Sequence, residues 1–301
     1  MAHKGGVGLP PPAPPPPPRP PPPPSLPPLP PSGGAKAHFL KAALERAAPP
    51  PGTGDDVREL LGHRRASFSG RRKWLLYHRP VPSLIQEGPQ CGLVALWMAG
   101  ALLRLPRSVS LERIVQAALD RGYTAQGEMF SAADMAKLAA EVFPCRAELL
   151  TGGLEGANRD RILCHLAAGC PVLVPYDEDS NHEPCRRRGY KAHWAVVSGA
   201  LLGLRPDAPS PPCREDEEIP GLFHPRGPGP LPAGVEETYL LAKQGKSWRY
   251  QLWGYGQLQE SNAQLTDFSP RRAGDGKVYI VPAGGLQEGL CGQAVLLHPR
   301  P

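Results

Sequence analysis

The sequence lacks the long apolar run that a membrane-spanning helix requires. No stretch approaches the roughly 20 apolar residues needed to cross a bilayer, and Met1–Gly6 leads straight into proline without the apolar segment of a secretory signal. The seven cysteines are odd in number and irregularly spaced, which disfavours a disulfide framework. We therefore expect free thiols, a reducing cytoplasmic location and no membrane partner.

Aromatic residues are also scarce, at 6% of the chain, and the net charge of +6 is modest and dispersed. Proteins that bind nucleic acids concentrate basic and aromatic residues on one face. The composition therefore argues against a nucleic-acid partner.

Proline, in contrast, is abundant at one end: 17 of the 41 prolines lie between Pro10 and Pro31. Proline fixes φ and lacks an N–H group, so residues 1–35 are predicted to form a disordered polyproline II arm. Leucine-interrupted runs such as Ser25–Pro31 suit the aromatic grooves of profilin-type domains. An inert spacer is the alternative role.

Residues 36–301 are predicted to form one folded domain, in which a helical half precedes a sheet-rich half, as in α+β proteins. Residues 206–234, rich in proline, glycine and acid, are predicted to be a disordered insertion between two strands. Helices are predicted over 36–48, 54–65, 111–121, 131–142 and 159–168. Strands are predicted over 74–77, 171–176, 193–197, 239–242, 278–281 and 293–297.

A cysteine stands at the start of an apolar helical stretch, directly after a Pro/Gly turn, in the segment 86–97, QEGPQCGLVALW. A helix N-terminus carries partial positive charge and unpaired N–H groups, which favour a thiolate. Cys91 is therefore a candidate nucleophile. An amide from Gln86 or Gln90 would join the Cys91 N–H in binding an oxyanion. The alternative is a buried core cysteine.

A histidine stands near the start of the alternating strand 193–197. A neutral imidazole can accept a thiol proton and later protonate a leaving amine, so His193 is the candidate base. Among the other eight histidines, His165 and His182 are the competitors. The other reading of this region is a zinc module, but its spacing is not typical of zinc sites, and we expect no metal or cofactor. Its ligands would be Cys164, Cys170, His182, Cys185 and His193.

Six segments form a distinctive ordered set. They are SLIQEGPQCGLVALW (83–97), GYTAQGEMF (122–130), PYDED (175–179), KAHWA (191–195), KQGKSW (243–248) and SNAQLTDFS (261–269). Together they resemble the actin maturation protease family, also called actin aminopeptidases, which are papain-like cysteine peptidases related to the bacteriocin-processing peptidases. The likeness runs from about residue 36 to the end, and the proline-rich head also fits.

The resemblance implies an aminopeptidase that removes the N-acetylated first residue, methionine or cysteine, from newly made actin. It implies a papain-like fold with Cys91 as nucleophile and His193 as base. Related peptidases orient the histidine with Asp or Asn on the following strand. Here that strand offers Gln244, with Asp177 and Asn262 as alternatives.

The first residue of actin is followed by acidic residues. Arg187 and Lys191, just before His193, are therefore candidates for binding the substrate, unless they form only a solvated basic loop. Profilin bound to the proline arm would bring profilin-bound actin to the active site. The alternative function is a catalytically inactive, proline-rich adaptor that binds profilin and actin.

Overall fold

The computed structural model describes residues 55–300, except 65, 67, 69–71, 104, 106 and 228. The proline arm 1–35 and the predicted helix 36–48 lie outside the described residues. In the described part of the chain, no helix has the length and apolar character needed to cross a bilayer.

The described residues form eight helices and ten strands. The helices are α1 Asp55–Arg64, α2 Cys91–Gly100, α3 Leu111–Asp120, α4 Ala132–Val142, α5 Ala157–Ala167, α6 Tyr255–Asn262, α7 Pro270–Ala273 and α8 Gly285–Gly289. The strands are β1 Lys73–His78, β2 Cys145–Leu150, β3 Val172–Glu178, β4 Pro184–Cys185, β5 Ala192–Leu204, β6 Cys213–Glu215, β7 Leu222–Pro225, β8 Val235–Gln244, β9 Gln251–Gly254 and β10 Ala294–Pro299.

All ten strands belong to one largely antiparallel sheet. Its main order is β2-β10-β3-β5-β1-β7-β6, while β8 pairs with β5 and β9, and β4 pairs with β3. The 13-residue strand β5 is buried along its whole length and lies between β3 and β8. A fully buried strand of this kind is apolar on both faces, so β5 is the central strand of the fold.

Apolar residues cover both faces of the sheet. One face packs against α2, α3 and α4 around Leu93, Met98 and Trp194, and the other packs around Tyr176 and Trp253, with α5 and α6. Nine of the ten residues of α2 are buried. A helix that is apolar all round belongs inside a protein, and α2 therefore brings its first residue into the interior.

Most predicted elements are confirmed. Helices α1, α3, α4 and α5 match within one or two residues, and the Ser131 hydroxyl caps α4 by accepting from the Asp134 N–H at 3.0 Å. The strands predicted at 74–77, 171–176, 193–197, 239–242 and 293–297 are all present, and each extends further than predicted at one or both ends.

Two predictions are wrong. Residues 278–281 form no strand: the Ile280 N–H donates to the Glu128 carboxylate at 3.1 Å, and the Val278 carbonyl accepts from Gln126. The segment 206–234, predicted to be disordered, contains β6 and β7, and β7 pairs with β1. These backbone groups find distant partners, which local composition does not reveal.

Two buried histidines and one partly buried histidine make the fold sensitive to acid. Burial lowers the pKa of His78, His165 and His193 to about 4. Between pH 6.5 and 4 the unfolded chain therefore binds protons that the folded chain does not. As the pH is lowered from 6.5 to 4, we expect the free energy of unfolding to fall by about 3 kcal/mol per histidine. Denaturant unfolding at several pH values measures this change.

The variant His165→Gln removes one of these protons and should flatten the pH dependence. Leu166→Ala, at the neighbouring buried position, is the matched control, because it destabilises the fold without changing proton binding. An equal pH slope in the parent protein and in His165→Gln would contradict the prediction.

Candidate active site

Cys91 is the first residue of α2, as the sequence predicts. The helix follows a turn at residues 88–89, where Gly88 has a φ of 59°, and Gln90 is the N-cap without a capping side chain. The next residue must be small, because a Cβ on Gly92 would lie 2.9 Å from Met129 and Met135 atoms. The local sequence thus packs the helix start tightly and leaves its N–H groups unpaired by side chains.

The Cys91 thiol is buried and hydrogen-bonded. Burial raises its pKa, whereas the backbone N–H of Trp194, Arg272 and Lys246 lower it, and Glu178 raises it further. The net direction is upward, so the resting sulfur keeps its proton at neutral pH. The hydrogen bond from Trp194 places the sulfur beside the residue that follows His193.

The end of β8 leaves room for this contact. The register between β5 and β8 ends at Ala195 opposite Gln244, so β8 no longer covers β5 from Trp194 towards its start. The start of α2 occupies this position, and the Trp194 N–H bonds the sulfur there instead of a strand carbonyl. Cys91 therefore contacts β5 next to His193, just beyond the point where β8 stops pairing with β5.

His193 is also buried, at 3% exposure, and its ring lies 5.7 Å from the ring of Tyr176 on β3. Burial lowers its pKa to about 4, while Glu178 raises the pKa, Lys246 lowers it and a hydrogen bond with Gln244 raises it. The Nε2 atom has no hydrogen-bond partner among the described residues. The imidazole is therefore neutral at pH 7, with one nitrogen free to act.

An ion pair between buried Glu178 and the more exposed Lys246 lies beside both groups. Glu178, 5% exposed, forms a salt bridge with Lys246 and a 3.0 Å hydrogen bond with His182 Nδ1. Burial opposes ionisation of Glu178, but His193, Lys246 and His182 together lower its pKa. The sequence did not indicate a role for Glu178 or Lys246. Their only signal was a place inside two of the motifs, PYDED and KQGKSW.

Gln244 and Gln86 lie in the same corner. The Gln244 side-chain oxygen accepts from the Lys246 N–H at 2.6 Å. The Gln86 N–H donates to the Gly245 carbonyl at 2.7 Å, and its side-chain amide donates to Gly88 at 2.8 Å. Gln90 instead packs against Gly127, where an added Cβ would lie 2.5 Å from its Cγ.

The other candidates for orienting the histidine have different partners. Asp177 accepts backbone N–H bonds from Arg187, Gly189 and Lys191 at 2.7–2.8 Å. Asn262 donates to two backbone carbonyls, those of Pro175 and Gln293. Both residues support the loops and strands around the site, and their hydrogen bonds in the described part of the chain go to groups other than the imidazole.

The remaining sequence candidates lie outside this cluster. Arg187 and Lys191 are exposed, and their backbone N–H groups donate to Asp177, so their role in binding substrate stays a prediction. His165 bonds the Pro171 carbonyl at 3.1 Å. Within the described ranges, no group of three His, Cys, Asp or Glu side chains is arranged to hold a metal ion, and this includes the zinc-module residues.

Cys91 opens onto a narrow pocket, which we call the Cys91 pocket. Its walls are largely apolar, from Trp194, Met129, Phe130 and Leu290, and two charged residues also line it. These are Glu128 and Arg272.

The arrangement supports covalent chemistry from a neutral pair. A neutral thiol can give its proton to a neutral imidazole as the sulfur attacks an electrophile. Because both groups are shielded from water, charges that form during the attack interact strongly with Glu178, Lys246 and the helix N-terminus.

Comparison with known proteins is consistent with this site. A family model described as "Actin maturation protease-like, C-terminal domain" matches residues 81–201, which include Cys91 and His193. The chain is 60% identical to the actin maturation protease of Mus musculus over 271 residues, covering 88% of this chain and 75% of that protein. Identity is 58% to the Homo sapiens protein, over 88% of this chain and 77% of that one. It is 50% to the Danio rerio protein, over 88% and 87%.

Glu178 and Lys246 act on the Cys91 thiol with opposite signs. Glu178→Gln should lower the thiol pKa and speed alkylation of Cys91 by iodoacetamide at pH 8, by about threefold or more. Lys246→Met should slow it by a similar factor. The rates are measured by mass spectrometry of the Cys91 peptide.

The exposed thiol of Cys164 serves as the internal reference in each sample. Both variants break the same ion pair, so general loosening of the structure would accelerate alkylation in both. Changes in the same direction would therefore refute the electrostatic assignment.

Proposed function

Because the chain belongs to the actin maturation protease family, we propose that it is a cysteine-type aminopeptidase whose substrate is actin. The reaction is removal of the N-acetylated first residue, methionine or cysteine, from newly synthesised actin. One observation carries the proposal: the Cys91 sulfur, at the start of α2, is held by the backbone of the residue next to His193.

In the proposed reaction, His193 takes the proton from the Cys91 sulfur as the sulfur attacks the carbonyl carbon of the first residue. The resulting oxyanion accepts hydrogen bonds from the Cys91 N–H and the Gln86 amide. His193 then gives its proton to the amine of the second residue, which leaves. Water, deprotonated by His193, hydrolyses the thioester and releases the N-acetylated amino acid.

We further propose that Gln244 orients the imidazole and that Glu178 supplies the charge that a neutral amide lacks. The amide hydrogen-bonds His193, and Glu178 is the leading charge that raises the pKa of His193. A nearby carboxylate stabilises an imidazolium as it forms. Division of these two tasks between two residues fits a site in which the strand after His193 carries glutamine rather than Asp or Asn.

The proposed fold type is papain-like, since a buried helix supplies the nucleophile and an antiparallel sheet supplies the base. All seven cysteines are free, which fits a reducing, cytoplasmic location. We also propose that the arm 1–35 binds profilin, because its uninterrupted proline runs match the ligands of aromatic grooves.

Replacement of Cys91 tests the reaction directly. The purified protein is incubated with acetyl-Met-Asp-Glu and acetyl-Met-Ala-Ala peptides and with unprocessed actin, and the products are followed by mass spectrometry. The parent should release acetyl-methionine. Cys91→Ala should lose at least about a thousandfold in rate, because the substitution removes the thiol that forms the thioester in this pocket.

Cys164→Ala, which changes an exposed cysteine, should keep full activity. Release of acetyl-methionine by Cys91→Ala at the parent rate would refute the assignment of the nucleophile. If the parent processes none of the three substrates, the adaptor function replaces the proposal.

Deletion of residues 1–35 tests the role of the arm. Tethering raises the effective concentration of profilin-bound actin at the active site. The deletion should therefore slow processing of actin about tenfold or more when profilin is present, but leave cleavage of a short peptide unchanged. Equal losses in the two assays would exclude tethering.

A further inference from the structure

Arg272 places a positive charge on the wall of the Cys91 pocket. Its guanidinium carbon lies 5.1 Å from the centre of the Phe130 ring, and the side chain is partly buried. Stacking on an aromatic face fixes the guanidinium while leaving its N–H donors available. Its charge also reaches the Cys91 sulfur, whose pKa it lowers.

Nothing in the described part of the chain forms a salt bridge with this guanidinium within 4.0 Å, although Asp275 is near enough for Arg272 to lower its pKa. Asp275 is itself bonded to the Tyr279 hydroxyl at 2.6 Å and to the Lys277 N–H at 3.0 Å. Arg272 thus has donor capacity that the fold does not use. A substrate that enters the Cys91 pocket can therefore accept hydrogen bonds from these N–H groups.

Glu128 is the carboxylate of the same pocket, and its oxygens are already occupied. They accept from the Thr124 hydroxyl at 2.9 Å and from the N–H groups of Ala125, Gln126 and Ile280 at 2.8–3.1 Å. Four donors saturate most of the acceptor sites of one carboxylate. Glu128 therefore holds the loops together and is poorly placed to bind a substrate ammonium.

We infer that Arg272 selects a blocked N-terminus: its guanidinium donates to the carbonyl oxygen of the N-acyl group and repels a free α-ammonium. This inference rests on the proposed function and adds the residue that sets its substrate class. The apolar walls of the Cys91 pocket lie against the first residue. The acyl group, which is attached to the nitrogen of that residue, faces the guanidinium.

The positive charge of Arg272 favours an acyl group over a free α-ammonium as the ligand. An unblocked N-terminus is an ammonium below about pH 8, and bringing it next to an arginine in a shielded pocket costs both hydration and repulsion. An amide carbonyl has no charge to repel, and a charged donor makes a strong hydrogen bond with it. One side chain therefore attracts one form of the substrate and rejects the other.

The test compares two peptides that differ only in the acyl group: acetyl-Met-Ala-Ala and Met-Ala-Ala with a free amine, at pH 6.5. The parent should prefer the acetylated peptide. Arg272→Met should lower kcat/KM for the acetylated peptide about tenfold or more, and should not lower it for the free peptide. Arg272→Lys should keep part of the preference, and Arg272→Glu should reverse it.

Arg271→Met is the matched control, because Arg271 is the exposed neighbour on the same short helix. The ratio of kcat/KM for the acetylated peptide to that for the free peptide should be the same in Arg271→Met as in the parent. A second readout is the pH dependence of this ratio. Raising the pH from 6.5 to 9 neutralises the free amine, so the preference of the parent should shrink while that of Arg272→Met stays flat.

An unchanged ratio in Arg272→Met and Arg272→Glu would overturn the inference, as would equal losses on both peptides. In both cases the parent protein still cleaves the acetylated peptide, so the proposed function would stand. A parent that cleaves neither peptide nor unprocessed actin would instead overturn the proposed function.

Discussion

The buried carboxylate of Asp177 determines how the chain enters β5. It accepts the N–H groups of Arg187, Gly189 and Lys191, and also the Gln264 amide at 3.0 Å. The loop it holds includes Arg188, a non-glycine residue with a φ of 61°. Without Asp177, three backbone donors would lose their partner, and for the buried Gly189 N–H this costs about 1–3 kcal/mol. The position of His193, two residues beyond this loop, depends on that carboxylate.

The electrostatics of the site follow from burial more than from any single pair. Both Cys91 and His193 are shielded, which disfavours the charged form of each and leaves a neutral thiol beside a neutral imidazole. Glu178 and Lys246 form an ion pair next to them, so opposite charges are already in place when the proton moves. Such preorganised charges lower the cost of separating charge in a dry site.

The local features of the site could be predicted from the sequence, and the long-range ones could not. The start of α2 follows from a Pro/Gly turn before an apolar run. The predicted end of β5 at Val197 is early because a bulge between Val197 and Gly199 shifts the register with β8, and the alternation changes phase there. The roles of Glu178 and Arg272 could not be predicted, although Glu178 lies in the PYDED motif, because their partners Lys246 and Cys91 are 68 and about 180 positions away.

The proton on the Cys91 sulfur has a consequence for survival of the protein between turnovers. Oxidation of cysteine by peroxide begins with the thiolate and follows solvent exposure. Cys91 is buried, and the raised pKa of its thiol keeps the sulfur protonated at rest, so neither condition is met. In the proposed reaction, the sulfur becomes reactive only when an electrophile enters the pocket and His193 takes the proton. The burial that keeps the thiol protonated thus also protects it from oxidation. A permanently ionised, exposed cysteine would lack this protection.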